Sequence, residues 1–180
     1  MSEQTQTPPD VEAWTDRIRS IPNFPQPGVD FKDITPLLAD GPAFGEVVDA
    51  IAGLYADRVD KVCGIEARGF ILAAPVAYRL GVGFVPIRKH GKLPYTAEAA
   101  SYELEYSEAV IEIHCDALKA GERVLIVDDV LATGGTARAA ADLVERLGGN
   151  VVGLVCLIEL EFLNGRSKLD GLELQTFIRY

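Results

Sequence analysis

Basic residues are in short supply: 17 lysines and arginines stand against 27 aspartates and glutamates, for a formal net charge of −10. Nucleic acids and anionic membranes are held by basic side chains that displace counterions, so this balance argues against broad contact with either. Any polyanionic ligand must bind at a local patch. Cysteines are few and odd in number. Two of Cys63, Cys115 and Cys156 sit in strand-like apolar runs, so reduced buried thiols are expected rather than a disulfide framework. There is no C-x-x-C pair, and the two histidines, His90 and His114, stand alone, so no zinc site is marked. His114 alternates with Ile111 and Ile113, which places it on the opposite strand face as an ordinary exposed histidine. Long apolar runs are missing too. The longest, Val151 to Ile158, is far below the ~20 residues that span a bilayer. Residues 1–10 lack both a basic start and an apolar stretch, so they read as a frayed tail, not a signal or an anchor, and the cytoplasm is the expected location.

What remains is an ordinary globular chain. Its 180 residues, 48% hydrophobic and 24% charged, suit one domain over 11–180 that buries about two-thirds of its unfolded surface. Val11 to Ser20 predict a short helix. Pro22, Pro25 and Pro27 then forbid its continuation and predict an ordered loop over Ile21 to Val29. Asp40-Gly41-Pro42 start a second helix through about Asp57, followed by a strand from Lys61 to Ile65. A helix over Phe70 to Leu80, closed by Gly81, leads to a strand over Phe84 to Arg88 and completes a βαβ unit. Val124 to Val127, the helix after it and Val151 to Ile158 repeat the pattern. Strands alternating with helices imply an α/β fold with a mainly parallel central sheet, and ligands at the carboxyl ends of its strands. Leu93 to Ser107, rich in Tyr, Ala and Glu, is read as a loop or hairpin of the kind that serves as a lid.

The most informative segment runs from Val124 to Thr136: an apolar strand, then Asp128 and Asp129, then a turn of small residues that opens a helix over Gly134 to Leu147. In that turn Ala132, Thr133, Gly134, Gly135 and Thr136 can aim backbone N–H groups and two hydroxyls at one point, where the helix dipole also favours an anion. The Gly-Lys-Ser/Thr ending of a nucleotide loop and the G-x-G-x-x-G of a dinucleotide site are both absent. Two carboxylates beside an anion site repel the ligand that site attracts unless something between them needs carboxylates. A ribose diol, or Mg²⁺ shared with a diphosphate, supplies that need.

Four apolar residues, two acids and Thr-Gly-Gly-Thr in this order resemble the phosphoribosyl-diphosphate motif of the type I phosphoribosyltransferases. Pro25-Gln26-Pro27-Gly28-Val29-Asp30-Phe31-Lys32-Asp33-Ile34, Glu66-Ala67-Arg68-Gly69-Phe70, Arg88-Lys89-His90-Gly91-Lys92-Leu93-Pro94 and Leu104-Glu105-Tyr106 narrow the resemblance to the adenine phosphoribosyltransferase family. The resemblance implies the type I fold, with helices flanking the sheet, an N-terminal hood over about 11–35 and a flexible lid over about 93–108. It implies an enzyme that joins adenine to the phosphoribosyl group of phosphoribosyl diphosphate, releasing AMP and diphosphate, with Mg²⁺ carried on the diphosphate and not held by the protein alone. A homodimer is implied in the same way.

On this reading Asp128 and Asp129 take the ribose hydroxyls and Ala132 to Thr136 take the 5′-phosphate. Glu66, Ala67, Arg68, Arg88, Lys89 and Lys92 take the diphosphate, with a cis peptide expected between Glu66 and Ala67. Glu105 is matched to the family's lid glutamate, acting with Arg68 in catalysis, and Glu103 is a nearby competitor. Position 107 is Ser where many relatives have Gly. Asp30 and Phe31 form the hood over the base, and Glu159 and Leu160 line the opposite wall. Two alternatives compete. A 6-oxopurine transferase would place a lysine near the base, for which the chain has no convincing equivalent. A phosphoribosyl-diphosphate-sensing regulator would need a DNA-binding module, and no spare helix-turn-helix segment exists.

Overall fold

The computed structural model describes residues 9–103 and 108–180, so Glu105, Tyr106 and Ser107 lie outside the described residues. By its contacts the chain falls into two compact units, one ending at Ala50 and the other running from Ile51 to Tyr180. The first holds α1 (Val11–Thr15), β1 (Arg19–Pro22), β2 (Asp30–Asp33), α2 (Thr35–Ala39) and the start of α3 (Gly41–Tyr55). Asp10, expected in the tail, instead caps α1: its carboxylate accepts the Ala13 N–H at 3.0 Å. The helix expected over Val11 to Ser20 stops at Thr15. Arg19–Pro22 pair antiparallel with Asp30–Asp33, Arg19 opposite Asp33 and Pro22 opposite Asp30. The physical reason is Pro22, which biases Ile21 away from the helical region, and a turn that follows with Asn23 at φ 60 and Gly28 at φ 89. Trp14, Ile34, Leu37 and Val47 are buried.

The second unit holds β3 (Lys61–Ile65), α4 (Arg68–Leu80), β4 (Gly83–Lys89), β5 (Ala97–Glu103), β6 (Glu108–His114), β7 (Arg123–Leu131), α5 (Gly135–Arg146), β8 (Asn150–Glu159) and β9 (Leu174–Arg179). Two short 3-10 segments, Glu161–Leu163 and Gly165–Leu169, join β8 to β9. Among the described residues these strands make one seven-stranded sheet in the order β5-β6-β4-β3-β7-β8-β9. The pairs from β4 through β9 are parallel, as the βαβ pattern predicts, while β5 and β6 add an antiparallel hairpin at the β4 edge. Within the stretch read as a loop or hairpin, the described residues hold the strand Ala97–Glu103, paired antiparallel with Glu108–His114, and residues 104–107 lie outside the described residues.

Ile65, Ile87, Ile126, Leu154 and the small face of α5, Ala137, Ala140 and Ala141, share one apolar core. Alanines on α5 let the helix approach the sheet closely, and burial of this order of apolar area contributes roughly 25 cal/mol per Å². Cys63, Cys115 and Cys156 are free thiols, and Cys63 and Cys156 are buried. His114 departs from expectation. It is half-buried, its Nε2 is enclosed with no hydrogen-bond partner among the described residues, and the Tyr95 ring stands edge-on to it. The cause is local cover on that face of β6: Glu112, two residues before His114, is only 8% exposed, with the Gly91 N–H donating to its carboxylate.

Candidate active site

The parallel strands β3, β4 and β7 lie side by side, so their carboxyl ends deliver Glu66, Arg88 with Lys89, and Asp128 with Asp129 to one edge of the sheet. β7 does not end at the acids. It runs on to Leu131, opposite Glu159 of β8, so both aspartates are fixed by strand pairing and not left on a loop. Asp129 is buried and ion-paired with the Nε of Arg68. Asp128 accepts the Asp129 N–H at 2.9 Å. Burial first, and then the neighbouring Asp129 charge, push the Asp128 carboxyl well above its ordinary range, with Arg68 pulling the other way. Gly69, in the first turn of α4, is what permits this packing: a Cβ there would lie 2.7 Å from Asp128 Oδ1 and 3.0 Å from the Val127 carbonyl oxygen.

After β7 the chain turns through Ala132 and Thr133 into Gly134, which stands at φ 78 as the N-cap of α5 with no side chain capping the helix. The uncapped N–H groups of the first turn are ready donors for an anion. The turn is pressed backbone to backbone against the second 3-10 segment. A Cβ on Gly134 would lie 2.2 Å from the Gly165 carbonyl oxygen, and one on Gly165 would lie 2.1 Å from that of Ala132. Sequence reading did not identify Gly165. Its signal, a glycine after Asn164 at φ 49 in a segment without periodicity, is visible only once the two stretches meet.

The basic residues after β4 are gathered, not scattered. Glu66 accepts hydrogen bonds from Lys92 Nζ at 2.7 Å, the Lys89 N–H at 3.1 Å and Arg88 Nε at 3.2 Å. Burial raises the Glu66 carboxyl, but the hydrogen bonds from Lys92, Arg88 and the Lys89 amide outweigh it and bring the group down to about 2. The peptide between Glu66 and Ala67 is cis. One short loop therefore joins the two clusters, with Glu66 among the cations and Arg68 on the acid pair. Among the residues expected on the diphosphate, the Glu66 carboxylate is occupied by the cations, which leaves the loop backbone and the basic side chains to meet an incoming anion.

The residues expected around a base are dispersed over both units. In the first, Asp30 is exposed and paired with Lys32 at 2.9 Å, and half-buried Phe31 meets Phe24 edge to face with centroids 5.2 Å apart. In the second, Leu160 follows β8 and its N–H donates to the Leu131 carbonyl at 2.9 Å. Glu159 does not present a free carboxylate to a wall. It is buried and takes hydrogen bonds from Arg166 at 2.6 and 3.0 Å and from Thr176 at 2.7 Å, which hold its carboxyl below the ordinary range. Sequence reading missed this network because Arg166 and Thr176 are polar residues with no local pattern.

The phosphoribosyl transferase domain family matches residues 37–173. An adenine phosphoribosyltransferase of Thermobifida fusca (strain YX) is 60% identical over 169 residues, spanning 93% of this chain and 96% of the relative. The crystal structure of adenine phosphoribosyltransferase from Thermoanaerobacter pseudethanolicus ATCC 33223 superposes with a TM-score of 0.92 at 51% identity, covering 94% of this chain and 99% of that one. The adenine phosphoribosyltransferase of Saccharomyces cerevisiae, complexed with D-2,5-dideoxy-2,5-imino-altritol 1,6-bisphosphate and adenine, superposes with a TM-score of 0.89 at 40% identity, covering 93% and 97%.

Proposed function

This chain belongs to the adenine phosphoribosyltransferase family, and from that premise we propose that it transfers the 5-phosphoribosyl group from phosphoribosyl diphosphate to adenine, giving AMP and diphosphate. The observation that carries the reading is the juxtaposition on one sheet edge of a strand-fixed acid pair, an uncapped helix N-terminus and a basic turn. Each suits one part of the donor substrate: hydroxyls, monoester phosphate and diphosphate.

The reaction breaks the bond between the anomeric carbon and a diphosphate oxygen and forms one from a ring nitrogen of adenine. That nitrogen gives up its proton, and diphosphate leaves with the bonding electron pair. Positive charge gathers on the sugar in between, so catalysis consists of holding both phosphate ends and stabilising the leaving group. Asp128 and Asp129 accept from the ribose hydroxyls, the turn Ala132 to Thr136 receives the 5′-phosphate, and Arg88, Lys89 and Lys92 meet the diphosphate. Arg68, anchored on Asp129, spans the two ends. Glu105 is the proton acceptor matched by resemblance. Mg²⁺ brought in with the substrate would neutralise charge on the diphosphate that Arg88, Lys89 and Lys92 meet. The family resemblance also supports a homodimer and a cytoplasmic location; among the described residues no helix is long and apolar enough to cross a membrane.

Incubation of the purified protein with phosphoribosyl diphosphate, Mg²⁺ and labelled adenine should yield labelled AMP and diphosphate in equal amounts. No AMP, or turnover of guanine and hypoxanthine in preference to adenine, overturns the reading. Changing both Asp128 and Asp129 to Asn should cut turnover by roughly a thousandfold while the protein stays folded. Wild-type rates in that variant would remove the acid pair from the mechanism.

A further inference from the structure

The basic turn has a buried support that the transfer chemistry does not use. Glu112, on β6, pairs with Arg88 of β4 in antiparallel register, and its carboxylate reaches under the turn that follows. One oxygen accepts the Gly91 N–H at 2.9 Å, and the other accepts from His90 Nδ1. The turn itself is closed by the Lys92 N–H donating to the Lys89 carbonyl at 3.3 Å, with Gly91 at φ 77. The Lys92 carbonyl in turn accepts Arg88 Nη1 at 2.9 Å. Two hydrogen bonds joined by the Gly91–Lys92 backbone therefore link Glu112 to the Arg88 guanidinium.

We propose that Glu112 is a positioning residue for the diphosphate half of the substrate, fixing the 89–92 turn so that Arg88 and Lys92 are aimed before the anion arrives. The inference deepens the phosphoribosyl-transfer reading and rests on it. A second buried carboxylate beneath an anion-binding turn works against the anion by charge alone, so its value lies in shape. Without it the Gly91 N–H loses its acceptor, the turn gains freedom, and the Lys92 carbonyl no longer fixes Arg88. Both cations must then be ordered at the expense of binding free energy. A carboxylate serving only to stabilise the hairpin would show itself differently, lowering the melting temperature while leaving the two ends of the substrate equally well bound.

The test uses Glu112→Ala and Glu112→Gln beside the wild type. Calorimetry gives Kd for inorganic diphosphate with Mg²⁺ and, separately, for AMP, and steady-state kinetics gives KM for each substrate. Glu112→Ala should weaken diphosphate binding and raise KM for phosphoribosyl diphosphate by roughly tenfold, as expected for loss of a charge-assisted hydrogen bond, with AMP affinity and KM for adenine within about twofold. Glu112→Gln keeps an acceptor for the Gly91 N–H and should recover most of that loss. Unchanged diphosphate affinity in Glu112→Ala, or equal loss of diphosphate and AMP, overturns the proposal. Should Glu112→Ala fail to fold, Glu112→Asp carries the test, because the shorter side chain keeps the charge but draws its carboxylate back from the Gly91 N–H. Weakened diphosphate with unchanged AMP supports the assignment, and no change in either removes it. A wild-type protein that binds neither ligand defeats the transfer reading itself, a failure seen before any variant is made.

Discussion

The turn after β7 and the turn after β4 stand on the same edge of the sheet, but they are held in opposite ways. Around Gly134 the restraint is steric: two glycine backbones, Gly134 and Gly165, meet where no Cβ fits, and no side chain caps the helix. Around Lys92 the restraint is polar: Glu66 and Glu112 tie the turn from two sides through side-chain hydrogen bonds. A ligand held by amide groups needs a fixed backbone and little charge, whereas a ligand held by flexible cations needs those cations restrained. The difference teaches that each half of the site should fail under a different kind of perturbation.

The largest effect should come from the steric side. Gly165→Ala places a Cβ 2.1 Å from the Ala132 carbonyl oxygen, so the turn must move by a sizeable fraction of an ångström or more. Displacement on that scale costs about a hundredfold in kcat/KM. The loss should appear in KM for phosphoribosyl diphosphate and in the affinity for AMP, with the affinity for free diphosphate preserved. A variant with wild-type AMP affinity would show that the contact is ornamental and would erase the contrast between the two turns.

A smaller and differently shaped effect belongs to the polar side. Lys92→Ala removes one charged donor from a half-exposed position. KM for phosphoribosyl diphosphate should rise by roughly tenfold at low ionic strength, the order expected for a hydrogen bond to a charged group. Because exposed charges are screened over about a Debye length, the gap between wild type and Lys92→Ala should narrow as salt increases. The gap between wild type and Gly165→Ala should not. Parallel salt profiles for all three proteins would mean that both turns are held by the same kind of force.

These two turns also differ in how far they could be read before folding. The strand, the acid pair and the glycine opening of α5 are contiguous, so strand geometry and helix-terminus chemistry identify them without tertiary information. The basic cluster is likewise local, and its sign contrast with an acidic chain marks it. The braces are not local. Gly165 reaches Gly134 from beyond β8, and Glu112 reaches Gly91 from β6, more than twenty residues on in the chain, so neither carries a pattern in its own neighbourhood. His114 escapes sequence reading as Glu112 does, since alternation along β6 marks one strand face as open but cannot show which residues the neighbouring turn and the Tyr95 ring cover. In the first unit, helix propensity over Val11 to Ser20 gave way after Thr15 to a strand pairing that Pro22 and the turn beyond it dictate.

The smallest effect is one of stability, and its sign differs between the two halves of the site. Glu66 drops from an ordinary 4.5 to about 2 in the folded protein, so between those values the unfolded chain binds more protons than the native one. Its contribution is therefore fully present above about pH 4.5 and disappears as pH falls through about 2. Asp128 is shifted the other way, so folding keeps a proton that the unfolded chain releases, and its contribution becomes unfavourable as pH rises above its ordinary value of 3.8. Glu66→Gln should thus lose about 2 kcal/mol of stability at neutral pH, a figure limited by the solvent around Lys92 and Arg88, with the difference from wild type shrinking toward pH 2. Asp128→Asn, which keeps an acceptor for the Asp129 N–H, should melt higher than wild type at neutral pH while losing turnover. The other carboxylates with lowered values, such as Glu159 and Glu173, are common to all three proteins and cancel in the difference curves. Denaturant melts across pH read both signs at once. Two difference curves of the same sign would show that the acid pair and the cation-bound glutamate do not occupy opposite electrostatic settings.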